Sequence, residues 1–332
     1  MSFKYDKLEQ SIVTIIKDHV EGQDVGVAFS GGLDSGLVSA IAKCYAKSVT
    51  LYTCGADNSY DVIMAKDLSE KLELPWVQVQ INKENIEDRI RELIAATETT
   101  DPFTISYELQ LFCVCMAAKE DCILTGQGAD EYFMGCAKFI DQSDEDYEIL
   151  KNAAVERLLD ISVPCEKKIA SHFQKDLVYP YINQTVISEI WKLDPEELKP
   201  KDMNSRKAVL KEIAIDLGYP VLAERKKKSS QYGSGTTDLV RALARKKGMK
   251  YNEYIESLCE EVLCGAPGRR KTAAVYARVD PIVKAEAERI LQQQGSSPSE
   301  AVENLYLKII AEHNAQLSEK SAVPKQSEPA SE

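Results

Sequence analysis

Four short apolar runs, DVGVAF (24–29), SVTLYTCG (48–55), WVQVQI (76–81) and DCILTG (121–126), are each closed by turn residues and separated by segments of helical spacing. Runs so short and apolar read as strands buried on both faces, and their alternation with helices predicts a parallel sheet covered by helices. The helical segments are SGLVSAIAKCYAK, SYDVIMAKDLSEKLE, and the pair ENIEDRIRELIAA and ISYELQLFCVCMAAKE. Between residue 140 and about 263 no further strand is expected. Helical stretches continue to about 263, interrupted at Pro164, Pro180, Pro195, Pro200 and Pro220, and are expected to layer over the carboxyl edge of the sheet.

Composition narrows the function classes. The 332 residues suffice for two or three compact units, and 44% hydrophobic residues supply their interiors. A formal net charge of -12 opposes broad adhesion to nucleic acid or anionic membrane. No apolar run reaches bilayer length and the start, MSFKYDKLEQ, lacks the apolar core of a signal peptide, so a soluble, cytoplasmic protein with no membrane partner is expected. Cysteines at 44, 54, 113, 115, 122, 136, 165, 259 and 264 show no CxxC spacing, and the histidines are only His19, His172 and His313. That pattern favours buried thiols over a metal cluster.

The first strand runs into Ser30-Gly31-Gly32-Leu33-Asp34-Ser35 and then a helix. Glycines allow a tight turn and close backbone approach, and N–H groups at a helix N-terminus bind anions. The GxxxxGK[ST] pattern is absent. Asp34 among phosphate donors would repel phosphate unless a cation lies between, which points to Mg²⁺. Taken alone, the motif is also compatible with a plain tight turn. LTGQGADEYFMG (124–135) closes the fourth strand, and in a parallel sheet the loops at neighbouring carboxyl ends share one crevice. Alone, it reads equally as an acidic helix start. AERKKKSSQYGSG (223–235) sets four consecutive cations beside a glycine loop, which alone reads as a solvated surface run.

SGGLDS resembles the PP-loop of the ATP pyrophosphatases, which cleave ATP between the α and β phosphates. LTGQGADEYFMG resembles the second signature of the asparagine synthetase C-terminal domain, and AERKKKSSQYGSG is similar to that family's R-x-K element ahead of a glycine-containing loop. Across residues 24 to about 240, the resemblance implies an adenine-nucleotide α-hydrolase-like (PP-loop) α/β domain with ATP and Mg²⁺ as cofactors. It further implies a ligase that adenylates a carboxylate, releases pyrophosphate, and lets an amine displace AMP to leave an amide. Aspartate is the default acyl substrate by resemblance only, with ammonia as the nitrogen source. Carried over residue by residue, Ser30, Gly31, Gly32, Leu33, Asp34 and Ser35 would cradle phosphate, and Asp34 and Asp130 would hold Mg²⁺. Ala28, Cys54 and Gly126 would meet the adenine. Arg225 and Lys227 match the spacing of the pyrophosphate-neutralising element, with Lys228 a close rival. SYD (59–61) and TISYE (104–108) are candidates to meet the acyl substrate, and Tyr107 reads equally as core.

Three departures matter. Position 2 is Ser where the family's N-terminal glutaminase domain has its nucleophilic Cys, and that domain is not in this sequence, so ammonia is expected from solution, from a separate glutaminase subunit, or not at all. Gln127 stands where many members have glutamate, leaving any acid, base or orienting role there open. Gly36 replaces the usual second serine and removes a hydroxyl.

CGAPGRRK (264–271) breaks the composition and reads as a linker between a domain at 1–263 (sheet core about 24–140, helical part about 141–263) and a module at 272–315. Residues 316–332 read as a disordered tail. The module, one short strand and two helices, resembles the ribbon-helix-helix part of RelB/DinJ-type antitoxins in its ARVD turn and its G-x-S-P-S-E-A helix start. Ser297-Pro298-Ser299-Glu300 is a capping box. A lone strand leaves backbone groups unsatisfied, so it is expected to pair with a second copy in a homodimer. Val275, Ala277 and Val279 would face the core, with Ala274, Tyr276 and Arg278 outward. Such a ribbon can enter the DNA major groove, and Arg269, Arg270 and Lys271 would then meet phosphates, although the module is only weakly basic. Dimerisation alone and DNA binding both stay open. The alternative to the ligase is therefore a DNA-binding regulator, non-catalytic or weakly catalytic, that senses ATP or an amino acid; sensing without turnover would make neither pyrophosphate nor AMP.

Overall fold

Five strands, β1 (Asp24–Ala28), β2 (Ser48–Gly55), β3 (Trp76–Gln80), β4 (Cys122–Leu124) and β5 (Asp176–Val178), pair in parallel in the order β3-β2-β1-β4-β5. The computed structural model describes residues 3–224, 230–264, 275, 277–293, 296–306 and 308–309. The four expected strands form within a residue or two of their apolar runs. β5 corrects the expectation that strands stop near 140: Asp176–Val178 registers against Cys122–Leu124 at the sheet edge. Three residues are too few to display a period, so pairing with β4 decides their conformation.

Alternation along the strands splits the interior into two layers. Val25 and Val27 of β1 with Val49 and Leu51 of β2 face α1 (Asp6–Val20) and α2 (Leu33–Tyr45), which contribute Ile12, Ile16, Leu37 and Ile41. α3 (Tyr60–Leu72) adds Leu68 and Leu72 to that layer. Tyr52 and Cys54 of β2 with Ile123 of β4 face the other layer, built from α4 (Ile86–Thr97), α5 (Pro102–Ala117) and the helix Tyr251–Cys264. Each Leu or Ile so enclosed contributes roughly 1.5–3 kcal/mol of burial free energy.

After β4 the chain forms the one-turn helix α6 (Ala129–Tyr132), then α7 (Asp144–Arg157) and α8 (Val163–Phe173). α7 and α8 run on through a π turn at Leu158–Ser162, so Pro164 does not interrupt the helix as expected. A widened turn lets the backbone bypass the hydrogen bond that proline cannot donate. Pro180, Pro195 and Pro220 instead open new helical turns, the first-turn position that suits proline. No helix among the described residues is long and apolar enough to cross a membrane.

The strand order fixes where a ligand can sit. The chain steps from β1 outward to β2 and β3, then returns past β1 to β4 and β5, so it departs in opposite directions from β1 and β4. That switch point opens a crevice at the carboxyl ends of β1 and β4, where the two glycine loops emerge.

The chain divides into two units, Met1–Tyr276 and Ala277–Glu332. In the second, the helix Pro281–Gln293 is followed by helical residues 298–306 and 308–309. Glu300 N–H donates to Ser297 Oγ at 3.2 Å while Ser297 N–H donates to Glu300 Oε2 at 2.8 Å, closing the capping box. The expected ribbon is largely outside the described residues; Val275 and residues 277–280 are described and are not assigned to a strand. The 316–332 tail is also outside them, as is nearly all of the 264–271 linker.

Candidate active site

The turn after β1 is held by its own glycines. Gly31 has φ +71, and a Cβ there would lie 2.5 Å from the backbone nitrogen of Ala65, so the turn rests directly on α3. Ser35 Oγ accepts from Ser30 N–H at 3.2 Å, and the two hydroxyls stand 3.3 Å apart. Gly32 at the N-cap offers no side chain to the first turn of α2, whose N–H groups stay available to an anion. Tyr181, fully buried, donates its hydroxyl to the Asp34 carbonyl at 3.1 Å. At Gly36 a Cβ would come within 2.7 Å of Leu222 Cδ2, so the hydroxyl missing from this position is replaced by packing against the helical layer.

The turn after β4 approaches from the other side. Gly126 lies so near the first turn that its Cβ would sit 3.0 Å from both Asp34 Cβ and Ser35 N. Gly128, with φ +89, starts α6 and aims Asp130 at the first loop. Between the carboxylates stands Lys207: its Nζ is 2.5 Å from Asp34 Oδ2 and 2.5 Å from Asp130 Oδ1, with a side chain only 5% exposed. Burial alone would lower the Lys207 pKa, but Asp130 and Asp34 outweigh it and hold the ammonium above its ordinary lysine value. Lys207 itself has φ +56, a left-handed conformation rare for a long side chain, just before the helix Ala208–Asp216. Its neighbour Arg206 donates to the Gly135 carbonyl at 3.0 Å.

A third cluster lies beyond Gln127. Gln127 Nε2 donates to Glu166 Oε1 at 2.6 Å, and Tyr107 donates its hydroxyl to Gln127 Oε1 at 3.0 Å. Glu166 and Glu108 are both buried. Burial pushes the Glu166 carboxyl up to about 8, with Glu131 adding to the rise against the pull of Tyr179 and Gln127. Glu108 is raised as well, by burial first and by Glu166 second.

These groups share a cavity of about 800 Å³, within the range typical of small-molecule sites. Ser30, Gly31, Gly32, Leu33, Asp34 and Ser35 line it, as do Ala28, Cys54, Gly126, Gln127 and Asp130. Arg225, Lys227 and Lys228 lie outside the described residues, while Ala223 and Glu224 just before them line the cavity. SYD and TISYE reach it through Tyr60, Asp61, Tyr107 and Glu108.

Lys207, Arg206 and Glu166 belong to no sequence motif recognised above. Lys207 did leave one signal: Arg-Lys immediately before AVLKEIAID puts two cations at a helix start, against the helix dipole. The donor set also suits a divalent cation held jointly with phosphates, since Asp34 Oδ1 is buried and has no hydrogen-bond partner. Among the described residues no group of three or more His, Cys, Asp or Glu could hold a metal, so phosphate oxygens would have to complete the shell.

Residues 7–160, just under half of the chain, match the family model described as Asparagine synthase. A putative glutamine-hydrolyzing asparagine synthetase 1 of Methanocaldococcus jannaschii is 26% identical over 300 residues, covering 77% of this chain and 55% of that protein. Asparagine synthetase B of Escherichia coli, also named glutamine-hydrolyzing, is 23% identical over 228 residues, covering 62% of this chain and 41% of its own length. The chain thus spans about half or less of the length of these relatives. Among solved structures, NMN synthetase from Francisella tularensis overlaps 82% of this chain and 90% of its own at 16% identity, with a TM-score of 0.37.

Proposed function

We propose that this protein is an ATP-dependent ligase that activates a carboxylate as its adenylate, releases pyrophosphate, and forms an amide with a nitrogen nucleophile. The observation that carries the reading is the convergence of the Ser30–Ser35 turn and Asp130 on one buried lysine inside a single cavity. The match of residues 7–160 to the asparagine synthase model and the named relatives support the same reaction class, with aspartate the first acid to test.

In this reading the uncapped first turn of α2 and the Ser30 and Ser35 hydroxyls bind the phosphates of ATP. Holding the acid against the α-phosphorus would supply an in-line approach, and the mixed anhydride would then need shielding from water. Lys207 offers a fixed positive charge where the leaving pyrophosphate gains negative charge. Asp34 and Asp130 would hold Mg²⁺, which when bound supplies further charge neutralisation on the phosphates. Arg225 with Lys227, or Lys228, would add cations to the same leaving group. Ala28, Cys54 and Gly126 would flank the adenine, and Gln127 would orient the acyl group or its attacker through its bonds to Tyr107 and Glu166.

The second unit carries exposed apolar side chains on both helical segments: Val283 and Ile290 on one, Val302, Leu305 and Ile309 on the other. These faces support a homodimer formed through this unit.

The test is product analysis. Purified protein with ATP, Mg²⁺, ammonium and aspartate is expected to release AMP and pyrophosphate in an acid-dependent manner that Asp34→Ala abolishes. ADP and phosphate as products, or nucleotide release indifferent to every acid in a panel, would overturn the reading.

A further inference from the structure

Two carboxylates in the cavity wall have no direct contact with the reacting atoms in the proposed chemistry, Glu166 entering only as an acceptor for Gln127. Glu108 on α5 is 1% exposed and Glu166 on α8 is 3% exposed, and both line the cavity. Glu108 Oε1 and Glu166 Oε2 are buried with no hydrogen-bond partner. Buried carboxylates ordinarily persist only when paired or neutralised. Here the partners are weak. Arg157 acts on Glu108 only from a distance and lies 3.4 Å from Asp101. Glu166 receives one neutral donor, the Gln127 amide. The Tyr179 hydroxyl approaches Glu166 without a hydrogen bond of good geometry, and Glu131 adds negative charge to the neighbourhood. Tyr107, Cys115 and Cys165, also nearby, have raised pKa values and stay neutral.

Among the described residues no cation contacts either of the two orphaned carboxylate oxygens, an arrangement that suits a positively charged donor. A divalent metal would need about six oxygen ligands, and among the described residues no third metal-binding side chain joins this pair. An ammonium group needs less, because its N–H bonds can go singly to separate acceptors. We propose that Glu108 and Glu166 form a binding site for a primary ammonium group, with N–H donated to Glu108 Oε1 and Glu166 Oε2. The ligand is either free ammonium, the nitrogen source, or the ammonium end of an amine-bearing substrate. The site's use rests on the ligase reading; its existence does not. Because burial, with Glu166 acting on Glu108 and Glu131 on Glu166, favours the protonated carboxyls, binding of the cation releases protons.

The experiment titrates the full chain with ammonium chloride, methylammonium chloride and butylammonium chloride against sodium chloride at equal ionic strength. Calorimetry in two buffers of different ionisation enthalpy follows heat and proton release. The expected result is saturable binding of at least one ammonium ion and none of sodium, with proton release. Glu108→Gln and Glu166→Gln should each weaken it at least tenfold while melting cooperatively. Preference for ammonium over the alkyl ions identifies the free ion as ligand; preference for an alkyl ion identifies a substrate amine. Absence of saturable binding by the folded protein, or binding retained in both variants, overturns the proposal and leaves the pair as a proton-sharing structural contact. Acid-dependent pyrophosphate release is measured separately: silence there with ammonium still bound removes the ligase reading and keeps the site.

Discussion

Lys207 Nζ stands 2.5 Å from Asp34 Oδ2, a contact between positions 173 residues apart in the chain. Asp34 comes from the first turn after β1, and Lys207 from the start of a helix in the layer beyond β5. Through Asp130 the same ammonium also ties in the loop after β4, so one charge joins three separate segments.

Replacing Lys207 by Met removes that charge and leaves Asp34 and Asp130 facing one another. The expected cost is about 3 kcal/mol, at the low end for a buried pair losing one partner, because the two carboxylates keep 25% and 26% exposure. Urea unfolding measures it. Added Mg²⁺ is expected to recover part of the lost stability in the variant, as a ligand of the native state.

Gly31→Ala places a methyl group 2.5 Å from the Ala65 nitrogen at φ +71. Backbone cannot yield as a flexible side chain can, so the loop must shift. A loss of about 1–3 kcal/mol is expected, with ATP affinity falling at least tenfold, read by thermal unfolding and nucleotide titration.

The raised Glu166 carboxyl makes stability depend on pH in a defined direction. Native Glu166 keeps its proton to about 8, whereas the unfolded chain releases it near 4.5, so the native state binds more protons in between. Its contribution is full below the lower value and is lost as pH rises through the higher one. Glu166→Gln removes this dependence. The variant should gain on the parent between about pH 5 and pH 8, with a melting temperature higher by several degrees at the upper end; thermal melts across that range check it.

In the second unit, Val283→Glu combined with Leu305→Glu is expected to halve the mass measured by light scattering. A parent chain that already scatters as a monomer contradicts the proposed homodimer, and a variant mass equal to a dimeric parent's contradicts an interface on these helices.

The sheet and both of its loops were legible because buried parallel strands announce themselves as short apolar runs and the loops as glycine motifs. Ser30–Ser35, Gly126, Gln127 and Asp130 accordingly meet in one cavity. Lys207 was not legible, since its partners lie far away in sequence and its only trace is a cation set against a helix dipole. Glu108 and Glu166 sit in helical segments where one carboxylate reads as a surface position, and only packing reveals that both point inward. β5 was too short to show a period, and the π turn before Pro164 hid a continuing helix behind a residue that usually ends one. Arg225, Lys227 and Lys228 lie outside the described residues.

The most direct measurement supplies the acid labelled with ¹⁸O in the reacting carboxyl and follows the label by mass spectrometry after turnover with ATP and ammonium. An acyl-adenylate transfers one labelled oxygen to the phosphate of AMP, and that is the predicted result. AMP formed without label, with all label kept in the amide or the acid, would contradict adenylation and the account built on it.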